Sequence, residues 1–210
     1  MNVLSIDPGG RNTGWVLLNA PISGEIRVLK SGLIRLAYKK DSDEDKIKGA
    51  IRAIASLFLQ FRDAKQVVDM TIIENQNFGK SRTTIDNIIY QSCIASHVVI
   101  HGSDIAFVDS RSKMGNFEAH GFVYDADNKQ KSKKMKNYSL QLAAFLNEKV
   151  RCPQDILCCD HRADAFTQAM SWLYVKDFLT AVFPTPERVL SPKKRRKKSS
   201  PSQIVRRVLV

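Results

Sequence analysis

The chain begins with Asn2-Val-Leu-Ser-Ile-Asp7-Pro-Gly-Gly10, a short apolar run that ends in an acid and then in turn-forming residues. This pattern predicts a β-strand whose last side chain is a carboxylate. Extended character returns from Thr13 to Asn19 and again from Glu25 to Leu36. Three strands joined by short turns predict an antiparallel meander at the start of the fold.

Beyond this meander the spacing of apolar residues alternates between helical and extended. Helices are predicted around Ile47 to Phe61 with Asp43 as N-cap, from Ile85 to Val99, from Tyr138 to Lys149 and from Asp160 to Leu179, and strands at Met70 to Glu74 and Ile105 to Asp109. Ser110 to Lys136 shows no sustained periodicity and is predicted to be a long functional loop. The order βββαβαβαα predicts an α/β protein of the RNase H-like type, with a five-stranded mixed sheet flanked by helices.

The charge is distributed unevenly along the 210 residues. The net charge is +12, and the stretch from Ser191 onwards carries eight Lys or Arg and no acid. We therefore divide the chain into a folded domain at 1–182 and a basic, disordered tail at 183–210. Such a balance favours a polyanionic partner, and the tail could bind DNA without specificity or act as a nuclear localisation signal.

Cysteine usage and hydropathy limit the cellular compartments in which we expect the protein. The four cysteines match no zinc-binding spacing and are expected to be reduced. No apolar run has the length of a membrane-spanning helix, and the first residues predict a strand rather than a signal peptide. These features predict an intracellular protein without a membrane partner.

Acidic residues recur where the predicted elements can direct them into one pocket. Asp7 and Glu74 each end an apolar strand, while Asp160 and Asp164 lie one turn apart on the last helix, with His161 on an adjoining sector. Each acid has an ordinary alternative: Asp7 could bond to turn amides, Glu74 could be a polar strand end, and Asp160 could cap the helix with Asp164 in solvent. Gathered carboxylates repel one another unless a hard cation such as Mg²⁺ or Mn²⁺ lies between them. An acidic pocket in a basic chain suggests a metal-dependent nuclease, with residues 1–182 as the nuclease domain.

Together these segments resemble the RuvC-type Holliday-junction resolvases, most closely those of poxviruses and other large DNA viruses. Asp7 in Ser-Ile-Asp-Pro-Gly matches the first carboxylate of the family, Glu74 in Ile-Ile-Glu-Asn-Gln the second, and Asp164 in Asp-Ala-Phe the last. The remaining position on the metal side falls on His161, three residues before the last Asp, or on Asp160.

The resemblance implies a catalytic and metal-binding set made of these five residues, with two Mg²⁺ ions per site, Mn²⁺ as a substitute and no small organic cofactor. It implies an endodeoxyribonuclease that cuts four-way DNA junctions by paired nicks and leaves 5′-phosphates. A homodimer follows from the two nicks, with the helix from Thr83 to Ile100 as candidate interface. The setting would be a viral replication site in the cytoplasm or the host nucleus.

Residues that contact DNA are also implied, although each lysine could equally belong to a solvated charged stretch. Phe78 is a candidate for base stacking, but it follows Glu74 by four residues where the family has an aromatic after three. The full set is Arg11, Phe78, Lys80, Lys113, Lys131, Lys133, Lys134 and Lys136.

Three other functions stay open from the sequence. An actin-like ATPase also begins with a strand, an Asp and a Gly-rich hairpin, but it requires a second phosphate-binding hairpin that does not appear here. A transposase-type or RNase H-type nuclease would use the same carboxylates on other nucleic acids. A DNA-binding scaffold without activity would keep the fold but has no need of the acids.

Overall fold

In a computed structural model, the protein folds as one β-sheet with helices packed on both of its faces. The structure describes residues 1–9, 12–22, 24–35, 42–75, 84–102, 104–109, 115–125, 131–150, 156–157, 159–180 and 182–183.

In the part of the chain that the structure describes, the sheet has five strands, in the spatial order β3-β2-β1-β4-β5. Their bounds are β1 Asn2–Asp7, β2 Asn12–Asn19, β3 Arg27–Arg35, β4 Met70–Asn75 and β5 Asp104–Asp109. β1, β2 and β3 pair antiparallel, whereas β4 runs parallel to β1 and β5 runs parallel to β4. The predicted mixed sheet with an antiparallel start is confirmed.

Among the described residues, four α-helices cover the two faces of the sheet. Their bounds are α1 Asp43–Asp63, α2 Thr84–Ile100, α3 Lys131–Asn147 and α4 Asp160–Val175. Because successive strand residues point to opposite faces, β1 contributes to two cores. Leu4 and Ile6 pack with α1 and α2, and Val3 packs with α3 and α4. The predicted α/β fold class is confirmed.

Several predicted details are wrong at the ends of helices. Ser42, not Asp43, caps α1, because its hydroxyl accepts the backbone N–H of Asp45. α4 ends at Val175 and not at Leu179, since Asp177 adopts a left-handed backbone with φ 61°. Leu179 still packs into the core, which explains why the apolar spacing continued past the end of the helix.

The segment predicted as one loop from Ser110 to Lys136 is partly helical. α3 begins at Lys131, and a short 3-10 helix occupies Glu118–His120. The first turns of α3 are almost entirely polar, so the apolar periodicity that reveals a helix begins only at Tyr138.

Within the described ranges, none of the helices combines the length and the apolar character that crossing a membrane requires.

Candidate functional site

Two acids lie side by side at one edge of the sheet. β1 and β4 are parallel neighbours, and their register pairs Ile6 with Ile73, so Asp7 and Glu74 follow at the next position of each strand. Both side chains point to the face that packs against α3 and α4, because Ile72, two residues before Glu74, belongs to that core. The carboxyl ends of two parallel strands thus bring together acids that are distant in the sequence.

Helix α4 begins directly above this edge. Its first turn lies against β2 at Gly14, where an added Cβ would stand 2.1 Å from the carbonyl oxygen of His161 and 3.0 Å from the backbone nitrogen of Arg162. Only a residue without a side chain allows this approach. Gly14 therefore fixes how near the first turn of α4 comes to the sheet.

The imidazole of His161 lies between two acids. Its Nδ1 is 3.5 Å from Asp7 Oδ2, and its Nε2 is 3.8 Å from Asp160 Oδ1. The side-chain amide of Asn12 lies 3.4 Å from the same Nε2. These separations exceed a normal hydrogen-bond length, so the side chains lie near one another without close hydrogen bonds between them. All three side chains are partly exposed, with 14% of Asp7 and 24% each of His161 and Asp160 accessible.

Asp164 follows His161 by one turn and is held from another helix. The hydroxyl of Ser139 on α3 donates a hydrogen bond to Asp164 Oδ1. Ser139 is fully buried and Asp164 is half-buried. The neighbours Ala163 and Ala165 are both buried in the core, so α4 turns its small residues inward beside the acid.

The donor set fits a divalent cation in its chemistry. Carboxylate oxygens with one imidazole are ligands that Mg²⁺ and Mn²⁺ accept, and α4 brings Asp160, His161 and Asp164 to the edge that holds Asp7 and Glu74. However, no three His, Cys, Asp or Glu side chains among the described residues form a group close enough to hold a metal ion. The acids would have to draw together around a bound cation.

The predicted DNA-binding residues are only partly within the described chain. Arg11, Phe78, Lys80 and Lys113 lie outside the described residues. The backbone of Lys131, Lys133, Lys134 and Lys136 forms the first turns of α3. Their assignment as DNA contacts stays a prediction.

Three site residues were missed from the sequence. Asn12 contacts His161, and Ser139 contacts Asp164. Gly14 sets the distance between the first turn of α4 and the sheet. Ser139 had a signal, because it precedes buried Leu142 by three residues and therefore lies on the buried face of a helix. Asn12 and Gly14 both lie in β2, the strand after Asp7, where no rule of spacing distinguishes them.

No protein-family model matches the sequence, and no curated protein is significantly similar to it.

Solved structures give a clear relationship of fold. RuvC of Thermus thermophilus superposes with a TM-score of 0.57 at 14% identity, covering 84% of this chain and 96% of that one. The same protein in complex with a Holliday junction substrate gives 0.58 at 12% identity, with the same shares of the two chains covered. The yeast mitochondrial Holliday junction resolvase Ydc2 gives 0.59 at 14% identity, covering 85% of this chain and 82% of that one. The mixed sheet and its flanking helices therefore adopt the fold of the RuvC-type resolvases.

Proposed function

We propose that the protein is a metal-dependent endonuclease that resolves four-way DNA junctions. The observation that carries this proposal is the acidic edge: Asp7 and Glu74 adjoin on parallel strands, and α4 directs His161 against Asp7. The fold adds support, because one of the similar structures is a Holliday junction resolvase and another is RuvC in complex with a Holliday junction substrate.

The acids of the edge have a defined part in this chemistry. Asp7, Glu74 and Asp164, with His161 or Asp160, would hold the cations, which we propose to be two Mg²⁺ ions replaceable by Mn²⁺. Bound there, a divalent cation supplies an activated water and offsets the charge of the phosphoryl oxygens. The carboxylates cannot serve alone, since anions repel a phosphodiester. Hydrolysis would leave a 5′-phosphate and a 3′-hydroxyl.

The basic residues would supply attraction for the DNA backbone. The run from Lys131 to Lys136 lies on the helix whose Ser139 contacts Asp164, and a helix rises about 1.5 Å per residue. The basic turns thus begin roughly 12 Å along α3 from that contact. This distance allows one DNA strand to reach both the lysines and the acids.

Resolution of a four-way junction requires two nicks, and we propose that a homodimer supplies two sites. Helix α2 stays the candidate interface. Its Val99 is 82% exposed, and Ile88 is half-buried. Light scattering at micromolar concentration should give twice the mass of the chain, and a monomer that nevertheless makes paired nicks would contradict this part.

The resemblance to the resolvases of poxviruses and other large DNA viruses stays a prediction. Action at a viral replication site in the cytoplasm or the host nucleus also stays a prediction. An RNase H-type or transposase-type nuclease shares these acids, so the choice of substrate must be tested directly.

The test is cleavage of a synthetic four-way junction and of a matched duplex, each with Mg²⁺ and with EDTA. We expect symmetric nicks that a ligase can reseal, in the junction alone and only with Mg²⁺. Asp7→Asn should abolish cleavage and keep junction binding, because one metal-binding charge is lost while the basic residues remain. Asp63→Asn is a matched control, since Asp63 pairs with Arg62 on the exposed end of α1. Wild-type rates in the Asp7 variant, or equal cleavage of duplex and junction, would refute the proposal.

A further inference from the structure

The contact between Ser139 and Asp164 joins the two helices that the proposed function uses separately. α3 carries the basic turns and α4 carries the metal-side acids. Ser139 is fully buried, and its hydroxyl donates to Oδ1 of the acid. A hydroxyl donating to a carboxylate stabilises the charged form and fixes its direction.

Ser139 is itself held firmly by its surroundings on α3. The neighbouring Tyr138 is buried, and its hydroxyl accepts the backbone N–H of Gly115 at 3.2 Å. The Tyr138 ring packs edge-on against Phe122, with the ring centroids 5.3 Å apart. One turn further, Leu142 is fully buried in the core. Rotation of α3 at this level would break each of these contacts, so the serine hydroxyl has a fixed place relative to the sheet.

The backbone that carries Asp164 is equally constrained. Ala163 and Ala165, on either side of it, are fully buried. The hydroxyl of Thr167 donates to the carbonyls of Ala163 at 2.9 Å and of Asp164 at 3.2 Å. With the backbone fixed, the main freedom left to the acid is rotation of its side chain, and the bond from Ser139 restricts that rotation.

We propose that Ser139 is a positioning residue for cleavage. Its hydroxyl fixes the direction of the Asp164 carboxylate while the other acids draw together around a divalent cation, and it ties that carboxylate to the placement of α3 and its basic turns. This inference rests on the proposed function. It follows the general rule that the hydrogen-bond partners of metal ligands set the direction of those ligands, and that losing such a partner costs about 10- to 100-fold in affinity or activity.

A purely structural role for Ser139 predicts a different result. A serine that only fills space between α3 and α4 could be replaced by alanine or cysteine with some change in stability and none in metal dependence. The measurement must therefore separate metal dependence from folding and from DNA binding.

The experiment compares Ser139→Ala, Ser139→Cys and Ser139→Thr with wild type and with Ser171→Ala. Ser171 is a matched control, because it is a buried serine on α4 whose hydroxyl has no hydrogen-bond partner among the described residues. Cysteine keeps the volume but is a weak donor, whereas threonine keeps the hydroxyl. Single-turnover cleavage, junction Kd and the Mg²⁺ concentration for half-maximal rate are measured, with Mn²⁺ binding followed by electron paramagnetic resonance without DNA.

We expect the Ala and Cys variants to cleave about 10-fold more slowly and to need about 10-fold more Mg²⁺. Junction Kd should be unchanged, and Mn²⁺ binding should weaken in parallel. The Thr variant should recover part of the rate, and Ser171→Ala should match wild type.

If wild type cleaves junctions and the Ala and Cys variants need the same Mg²⁺ concentration as wild type, the positioning role of Ser139 is overturned. The proposed function then still stands. If wild type does not cleave junctions, the proposed function falls, and the Mn²⁺ titration decides the role of Ser139. Weaker Mn²⁺ binding in Ser139→Ala than in Ser171→Ala would then uphold the part of the inference that Ser139 positions Asp164 for a cation, and equal binding would overturn it.

Discussion

The close contact at Gly14 leads to a specific prediction for Gly14→Ala. The new Cβ would stand 2.1 Å from the carbonyl oxygen of His161, whereas carbon and oxygen atoms in close contact are roughly 3.3 Å apart. The obstructing atoms are backbone, so the first turn of α4 must move by about 1.2 Å to restore that separation. Such overpacking costs about 1–3 kcal/mol of stability.

The same shift moves His161 away from Asp7. A misplacement of about 1 Å can cost on the order of 100-fold in rate, so we expect the Gly14 variant to cleave about 100-fold more slowly at saturating junction. Urea unfolding measures the stability loss, and single-turnover cleavage under folding conditions measures the rate.

Gly32→Ala provides the control for Gly14→Ala. There the added Cβ would meet the ring of Trp15 at 2.4 Å, and that ring packs edge-on against Phe61 of α1, on the other face of the sheet. We expect a loss of stability in this variant with a normal cleavage rate in the folded protein. Unchanged stability and rate in Gly14→Ala, or an equal slowing of cleavage in Gly32→Ala, would contradict this role of Gly14.

Two further predictions concern stability. Ser42→Ala should lower the free energy of unfolding by about 1 kcal/mol through loss of the helix cap, and Asp43→Ala should cost less; the reverse order in urea unfolding would restore Asp43 as the cap. Burial, followed by the charge of nearby His97, lowers the pKa of His101 from its ordinary 6.5, so the folded protein binds fewer protons there than the unfolded chain. The contribution of neutral His101 to the free energy of unfolding should therefore be fully present above pH 6.5 and should be lost as the pH falls below that value. Urea unfolding from about pH 7.5 to pH 5 should show a shallower fall in His101→Asn than in wild type, and identical slopes would exclude this contribution.

The sequence indicated the sheet well because its strands are apolar runs with clear ends. Asp7 and Glu74 end two such runs, but the parallel pairing of β1 with β4 that brings them together is seen only in the structure, because apolar runs do not specify which strands are neighbours. The start of α3 was missed since Lys131 to Lys136 has no apolar stripe, and a helix without one leaves no periodic signal.

The contacts within the site could not be predicted from the sequence, for a different reason. Ser139 and Asp164 are 25 residues apart, and Asn12 and His161 are 149 apart. Whether such pairs meet depends on how two helices and a strand cross, and that geometry is set by the packed core as a whole. His161 had the better spacing in the sequence, and its place against Asp7 depends on the absence of a side chain at Gly14.

The wide separation of Asn12 and His161 also has a consequence for synthesis of the protein. Ribosomes add roughly 5–20 residues per second, so α4 follows the first strands by about 7–30 s. During that interval the nascent chain can pair β1 with β4, but it lacks every acid of the last helix. The proposed nuclease site would therefore be complete only once α4 has docked onto the first strands, and the nascent chain would hold no finished site before that.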